Sequence, residues 1–260
     1  MSPNPESAST DRGDMPRMKS SEQPRTGSPP ADQSPAASSD ILPYLVPMFA
    51  YVGLSGIENY LPRVDGGPSP AWYPLAYTVK LAIVMLLVWW YRSTWRDFGP
   101  VPTYRSLGLA VVIGLLVWAL WIGLDGLYPM FPFLGGRAGF NADRLAPVVR
   151  WAFIIVRMLG LALIVPLIEE LFWRSFLMRW LIDQDFFRVP IGRVTPMAAA
   201  ATSALFALVH PEWLPALLTG LLWAGLLWRT GSLGACFVSH ATANLALGIY
   251  VIVTGDWKFW

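Results

Sequence analysis

Apolar residues in this chain arrive in long blocks, not in the alternating or one-sided pattern of a water-soluble fold. From Ile41 onward, mostly apolar runs alternate with short polar loops. Many of the runs are close to the roughly 20 residues a helix needs to cross a bilayer core about 30 Å thick. The pattern predicts spans over 41–57, 72–91, 107–128, 151–182, 197–210, 214–228 and 233–253. Pro43 and Pro47 interrupt the first near its start, and Glu58 and Asn59 close it. Lys80 lies inside the second, buried or with its head reaching out to the interface. Asp125 lies near the end of the third. The fourth would be roughly 48 Å long at 1.5 Å per residue, too long for one straight crossing. Pro166 lacks an N–H and crowds the preceding turn, so a kink is expected there, or a division into two elements. The last three spans are joined by very short loops and must be antiparallel neighbours. The expected fold is all-α: a polytopic transmembrane helical bundle of seven to eight spans behind a disordered N-terminal tail.

Composition agrees with that reading and narrows it. The chain is 55% hydrophobic, with 14% charged residues where a soluble domain has about 25%. The first 40 residues are rich in Ser, Pro, Asp, Glu and Arg with almost no large apolar side chain, too little to offset ordering entropy. No apolar stretch near Met1 reads as a cleaved signal peptide. Three segments follow: a tail over 1–40, N-terminal membrane helices over 41–130, and a membrane core over 145–254. A net charge of +2 gives no reason to expect a nucleic-acid partner. Loop charge favours a cytoplasmic side holding the tail, 92–105, 179–194 and Arg229. The expected location is the cell inner membrane, multi-pass, with lipid as a constant partner. The single cysteine, Cys236, reads as a small core residue.

Polar residues inside the apolar blocks carry the chemistry. Glu169, Glu170 and Arg174 fall within six residues of one span. Each charge costs about 2.5–3.5 kcal/mol at a membrane helix centre, so a partner or a task is expected for each. Glu170 and Arg174 are four apart and can pair on one face. Glu169 points about 100° away, with Trp173 four residues on, and has no local cation. That makes Glu169 the candidate for moving a proton and Glu170 the candidate for structure. The chain has two histidines, both in apolar stretches. His210 precedes Pro211 and should stand at a helix end, where its ring could simply bond free carbonyls. His240 and Asn244 are four apart and share a face, which also suits polar contacts between helices. At 1.5 Å per residue from the cytoplasmic-side ends Ile182, Thr195 and Gly231, Glu169, His210 and His240 lie about 20, 22 and 12 Å deep, close enough to meet.

Glu-Glu-x-x-x-Arg at 169–174, Phe-x-x-x-His at 206–210 and His-x-x-x-Asn at 240–244 together resemble the CPBP family of intramembrane proteases. That family includes CAAX prenyl protease-like enzymes, and the Trp-rich chain is similar to its bacterial, exosortase-associated subgroup. The resemblance covers about 150–250. It implies an endopeptidase that cuts a peptide or protein substrate near the membrane. Glu169 would activate water, with His210 orienting it. His240 and Asn244 would stabilise the oxyanion. Glu170 and Arg174 would hold the geometry. The family also raises a divalent metal such as zinc, for which Glu169, His210 and His240 could supply three ligands. A metal-free glutamate mechanism uses the same residues, and no cofactor is demanded. The rival reading is a non-catalytic membrane adaptor with a structural polar cluster. A proton-coupled transporter is disfavoured by the lack of repeated halves.

Overall fold

A computed structural model describes residues 38–134 and 139–260. The tail expected over 1–40 lies outside the described residues except for its last three positions, which begin a helix. Seven long helices are described: α1 (Ser38–Glu58), α2 (Tyr73–Trp90), α3 (Tyr104–Gly123), α4 (Pro147–Trp180), α5 (Pro196–Leu208), α6 (Trp213–Thr230) and α7 (Leu233–Thr254). Among the described residues, α1, α2, α3, α4 and α7 are long and apolar enough to cross a membrane, and α5 is a shorter apolar helix.

Local chemistry sets the helix ends. The hydroxyls of Thr103, Thr195 and Ser232 each accept a backbone N–H three residues on and open α3, α5 and α7. Pro196 follows the second cap at the first helical position. Gly231 and Gly255, at φ 61° and 70°, close α6 and α7 in the left-handed conformation that glycine adopts without strain.

Of the two forms expected for the fourth span, the division into two elements does not occur. α4 runs undivided for 34 residues. It widens to π-helix over Gly160–Ile164 and Glu170–Leu177, on either side of a short α segment containing Pro166. Shifting the hydrogen-bond ladder absorbs the missing proline donor without breaking the helix. Pro43 and Pro47 likewise lie inside a continuous α1. Asp125 is a second correction: α3 ends at Gly123, so Asp125 stands in the following loop, paired with Lys258 at 2.7 Å. Lys80 is buried, bonded to Glu58 at 2.7 Å and Ser55 at 3.1 Å. A two-residue antiparallel pair, β1 (Arg63–Val64) with β2 (Gly67–Pro68), orders the loop after α1.

The bundle is apolar outside as well as inside. Val112, Leu75, Ile155 and Trp228 are all more than half exposed. Such a surface fits lipid, where backbone groups must be satisfied within helices. α3 packs along α7, α5 along α6, and α1 along α2.

Two ends can be distinguished. At one, which we call the basic face, Asp97 accepts from Tyr44 at 2.9 Å, from Arg179 at 3.1 Å and from Ser175. Gly192 lies against Gly231 there, and Gly234 against Pro102. At the opposite face, Arg144 pairs with Asp65 at 2.8 Å and Arg150 with Asp143 at 2.9 Å. Trp257 donates to Asp143 at 2.9 Å and Trp213 to the Pro129 carbonyl at 2.8 Å.

Candidate active site

α4 carries both glutamates and Arg174 into the centre of the bundle. The Glu170 and Arg174 side chains are 0% and 1% exposed and lie 3.3 Å apart, as their spacing predicts. Arg174 is also sandwiched by aromatic rings, its guanidinium carbon 5.1 Å from the Phe206 centroid and 4.8 Å from that of Trp223. A guanidinium is flat and weakly hydrated, so two ring faces suit it better than they would suit an ammonium.

α7 brings His240 against the same carboxylate. Its Nδ1 lies 3.0 Å from Glu170 Oε1. A carboxylate accepts and does not donate, so this nitrogen carries the hydrogen, and Nε2 is left to face elsewhere. Nε2 faces Glu169, with Oε2 3.9 Å away. Trp223 of α6 stacks on the imidazole at 4.2 Å between centroids, and its indole N–H donates to Ser239 Oγ at 3.0 Å. The ring is thus held on its face by Trp223 and at one nitrogen by Glu170.

His210 lies two residues beyond the end of α5, as the following proline predicts. Its Nδ1 is 2.7 Å from the Phe206 carbonyl, one of the carbonyls a helix end leaves free. Its ring packs on Phe206 at 4.4 Å and meets Trp121 edge-on at 5.9 Å. Asn244 donates through Nδ2 to the Leu161 carbonyl at 2.8 Å. Leu161 belongs to the first π-helical stretch of α4. One amide hydrogen and the carbonyl oxygen of Asn244 are therefore uncommitted by that bond.

Glu169, His210, His240 and Asn244 all line one cavity of about 260 Å³, together with Trp121, Thr219, Trp223 and Phe259. Glu170 and Arg174 stand behind its wall, in contact with His240 and Trp223 respectively. The sequence separates the two glutamates by local partner alone. The structure adds that Glu170 is bonded to His240 across 70 positions. The aromatic walls, Trp121 and Trp223, are not singled out by sequence, because indoles in apolar helices carry no spacing signal. Ser239, next to His240, is the one adjacent polar cue.

The three candidate metal ligands do not assemble as a set. Among the described residues no group of three or more His, Cys, Asp or Glu is placed to hold a metal ion. His240 and His210 each commit Nδ1 to a neighbour, to Glu170 and to the Phe206 carbonyl, which leaves Nε2 of each ring open.

Comparison with known proteins points the same way as this geometry. Residues 150–246 match the family model described as type II CAAX prenyl endopeptidase Rce1-like. No curated protein and no solved structure matches the chain. The matched stretch contains Glu169, Glu170, Arg174, His210, His240 and Asn244, and over it this multi-pass helical membrane protein is similar to CAAX protease-like enzymes.

Proposed function

We propose that the protein is an intramembrane endopeptidase that hydrolyses a peptide bond with water activated by Glu169. The matched family suggests CAAX protease-type activity in a membrane, on a peptide or protein substrate. The observation that carries the mechanism is one carboxylate facing one imidazole nitrogen, Glu169 Oε2 and His240 Nε2 at 3.9 Å, on the wall of a cavity.

In this reading Glu169 takes a proton from water as the water oxygen attacks the carbonyl carbon. The carbonyl electron pair moves onto oxygen. The free amide hydrogen of Asn244 and the His240 ring stabilise that oxyanion. His240 donates from Nε2 only as an imidazolium, since its Nδ1–H is spent on Glu170, and the Glu170 carboxylate compensates that cation. Glu169 then returns the proton to the amine nitrogen as the C–N bond breaks. His210 stands across the cavity and orients the water. The inner cell membrane is the proposed location.

Replacement of Glu169 by Gln keeps the shape and removes the base. Turnover should fall about 10²–10⁴-fold, the usual worth of a general base. Thermal unfolding in detergent should be nearly unchanged, because the Glu170–Arg174–His240 network is untouched. Processing that continues at full rate in Glu169→Gln would overturn the enzyme reading in favour of a non-catalytic adaptor.

A further inference from the structure

The cavity has a sealed floor and a mouth, and they lie toward opposite faces of the bundle. On the side of the basic face, the floor is made by Glu170, Arg174, Phe206 and Trp223, each at most 2% exposed. Beneath them Ser175, Cys236, Leu227 and Leu233 are likewise at 1% or less. No loop of the basic face contributes a lining residue. From this floor the lining rises along α7 in order, His240, Ala243, Asn244, Leu247 and Gly248, toward the end of that helix at the opposite face. Along α3 it rises from Val117 to Trp121, again toward the opposite face. Phe259, beyond the end of α7, completes the lining. Phe259, Trp121 and Leu247 also border a second cavity of about 210 Å³ with Glu212 and Lys258, which continues the path outward.

Charge identifies the two faces. Outside the bilayer core the basic face carries Arg92, Arg96, Arg105, Arg179, Arg188, Arg193 and Arg229. The opposite face carries Arg63, Arg144, Arg150 and Lys258 among the described residues, and Arg137 in the sequence of the loop after α3. Short loops rich in Lys and Arg stay on the cytoplasmic side. The seven-to-five excess therefore puts the floor toward the cytoplasm and the mouth away from it.

We infer that the active site opens to the extracytoplasmic side, and that its substrate is an exported, membrane-anchored polypeptide whose scissile bond is presented on that side. The substrate half of this inference rests on the protease reading above; the topology does not. A polypeptide approaching from the cytoplasm would meet the closed layer of Arg174, Trp223 and Phe206. One arriving from outside, tethered by its own membrane segment, meets a mostly apolar path, past Trp121, Leu247 and Phe259, that ends at the polar groups around Glu169.

Single cysteines read the topology directly in the full chain in intact cells, with a membrane-impermeant thiol reagent. Native Cys236 is buried and supplies the blank. Tyr60→Cys marks the opposite face and Val101→Cys the basic face, at positions 90% and 87% exposed. Leu247→Cys marks the cavity. Tyr60→Cys and Leu247→Cys should be labelled in intact cells, and Val101→Cys only after permeabilisation. Labelling of Val101→Cys from outside, or of Leu247→Cys only from inside, overturns the inference. For the substrate, new peptide termini present in wild-type cells and absent with Glu169→Gln should map to extracytoplasmic flanks of membrane anchors. Termini on cytoplasmic flanks refute the substrate class. If no termini differ while the labelling pattern holds, the protease reading fails and the topology stands.

Discussion

Arg174 is the side chain on which the rest of the site leans. It is fully enclosed, bonded to Glu170 and stacked between Phe206 and Trp223. Trp223 stacks on His240, and Glu170 bonds it, so two independent contacts of Arg174 converge on one imidazole. Removing one member of a buried pair strands the other in a low-dielectric interior, at about 3–5 kcal/mol. Arg174→Ala should therefore lower stability by about that much, measured by thermal unfolding in detergent. Arg174→Lys keeps the charge but loses the planar stack and should lie in between. The double change Glu170→Gln with Arg174→Met removes both charges and should be less damaging than Arg174→Ala alone. Equal stability of wild type and Arg174→Ala would show that the cation holds nothing. At this scale the sequence is readable only over short distances. The four-residue spacing of Glu170 and Arg174 announces their pairing. The bond from Glu170 to His240 leaves no local trace, because it depends on how α4 and α7 meet. The same is true of Asn244, whose bond to the Leu161 carbonyl arises where α4 widens.

Elements hold these residues in register through close approaches of helix backbones. Gly220 on α6 lies so near α5 that a Cβ there would stand 2.8 Å from the Ser203 side chain. Gly114 on α3 faces the carbonyl of Ser239 on α7, next to His240. Small residues that let helix backbones approach are a common means of packing in membranes. An added methyl at either site must push a helix that carries site residues. Gly220→Ala and Gly114→Ala should each cost about 1–3 kcal/mol by overpacking, with a matching loss of turnover. Gly225, also on α6, has open space around it and serves as the control. Gly225→Ala should be neutral or stabilising by up to about 1 kcal/mol, since alanine favours helix. Similar unfolding midpoints for all three variants would deny that these contacts set the helix spacing. The helices themselves were legible, because length and hydropathy alone define a span. The path of α4 was not. Proline rules leave a bend or a break at Pro166 open, because they take no account of neighbouring helices, against which α4 stays continuous with π geometry on both sides. The apolar run continues past Gly123 to Tyr128, so hydropathy places the end of α3 beyond its true end, in the loop where Asp125 meets Lys258.

The whole molecule joins the cavity around Glu169 to one membrane face through its last described residues. Asp143 accepts from Trp257, and Gly139 lies against the Trp257 backbone. Lys258 is tied to Asp125 at 2.7 Å and to Asp256 at 3.1 Å. These hydrogen bonds raise the pKa of its exposed ammonium, so the group stays charged at any physiological pH. Between these two anchors and Trp260 lies Phe259, the side chain that lines both the cavity around Glu169 and the smaller one beside it. In the proposed topology its position makes it the constriction on the route of a polypeptide from the opposite face. Phe259→Ala leaves Trp257 and Lys258 anchored and removes only the ring. The thiol reagent should then modify Leu247→Cys faster than in the parent chain. For bulky substrates kcat/KM should rise through a lower KM, with kcat unchanged. Unchanged labelling of Leu247→Cys would place the route elsewhere, and slower labelling would mean that the ring props the path open instead of narrowing it.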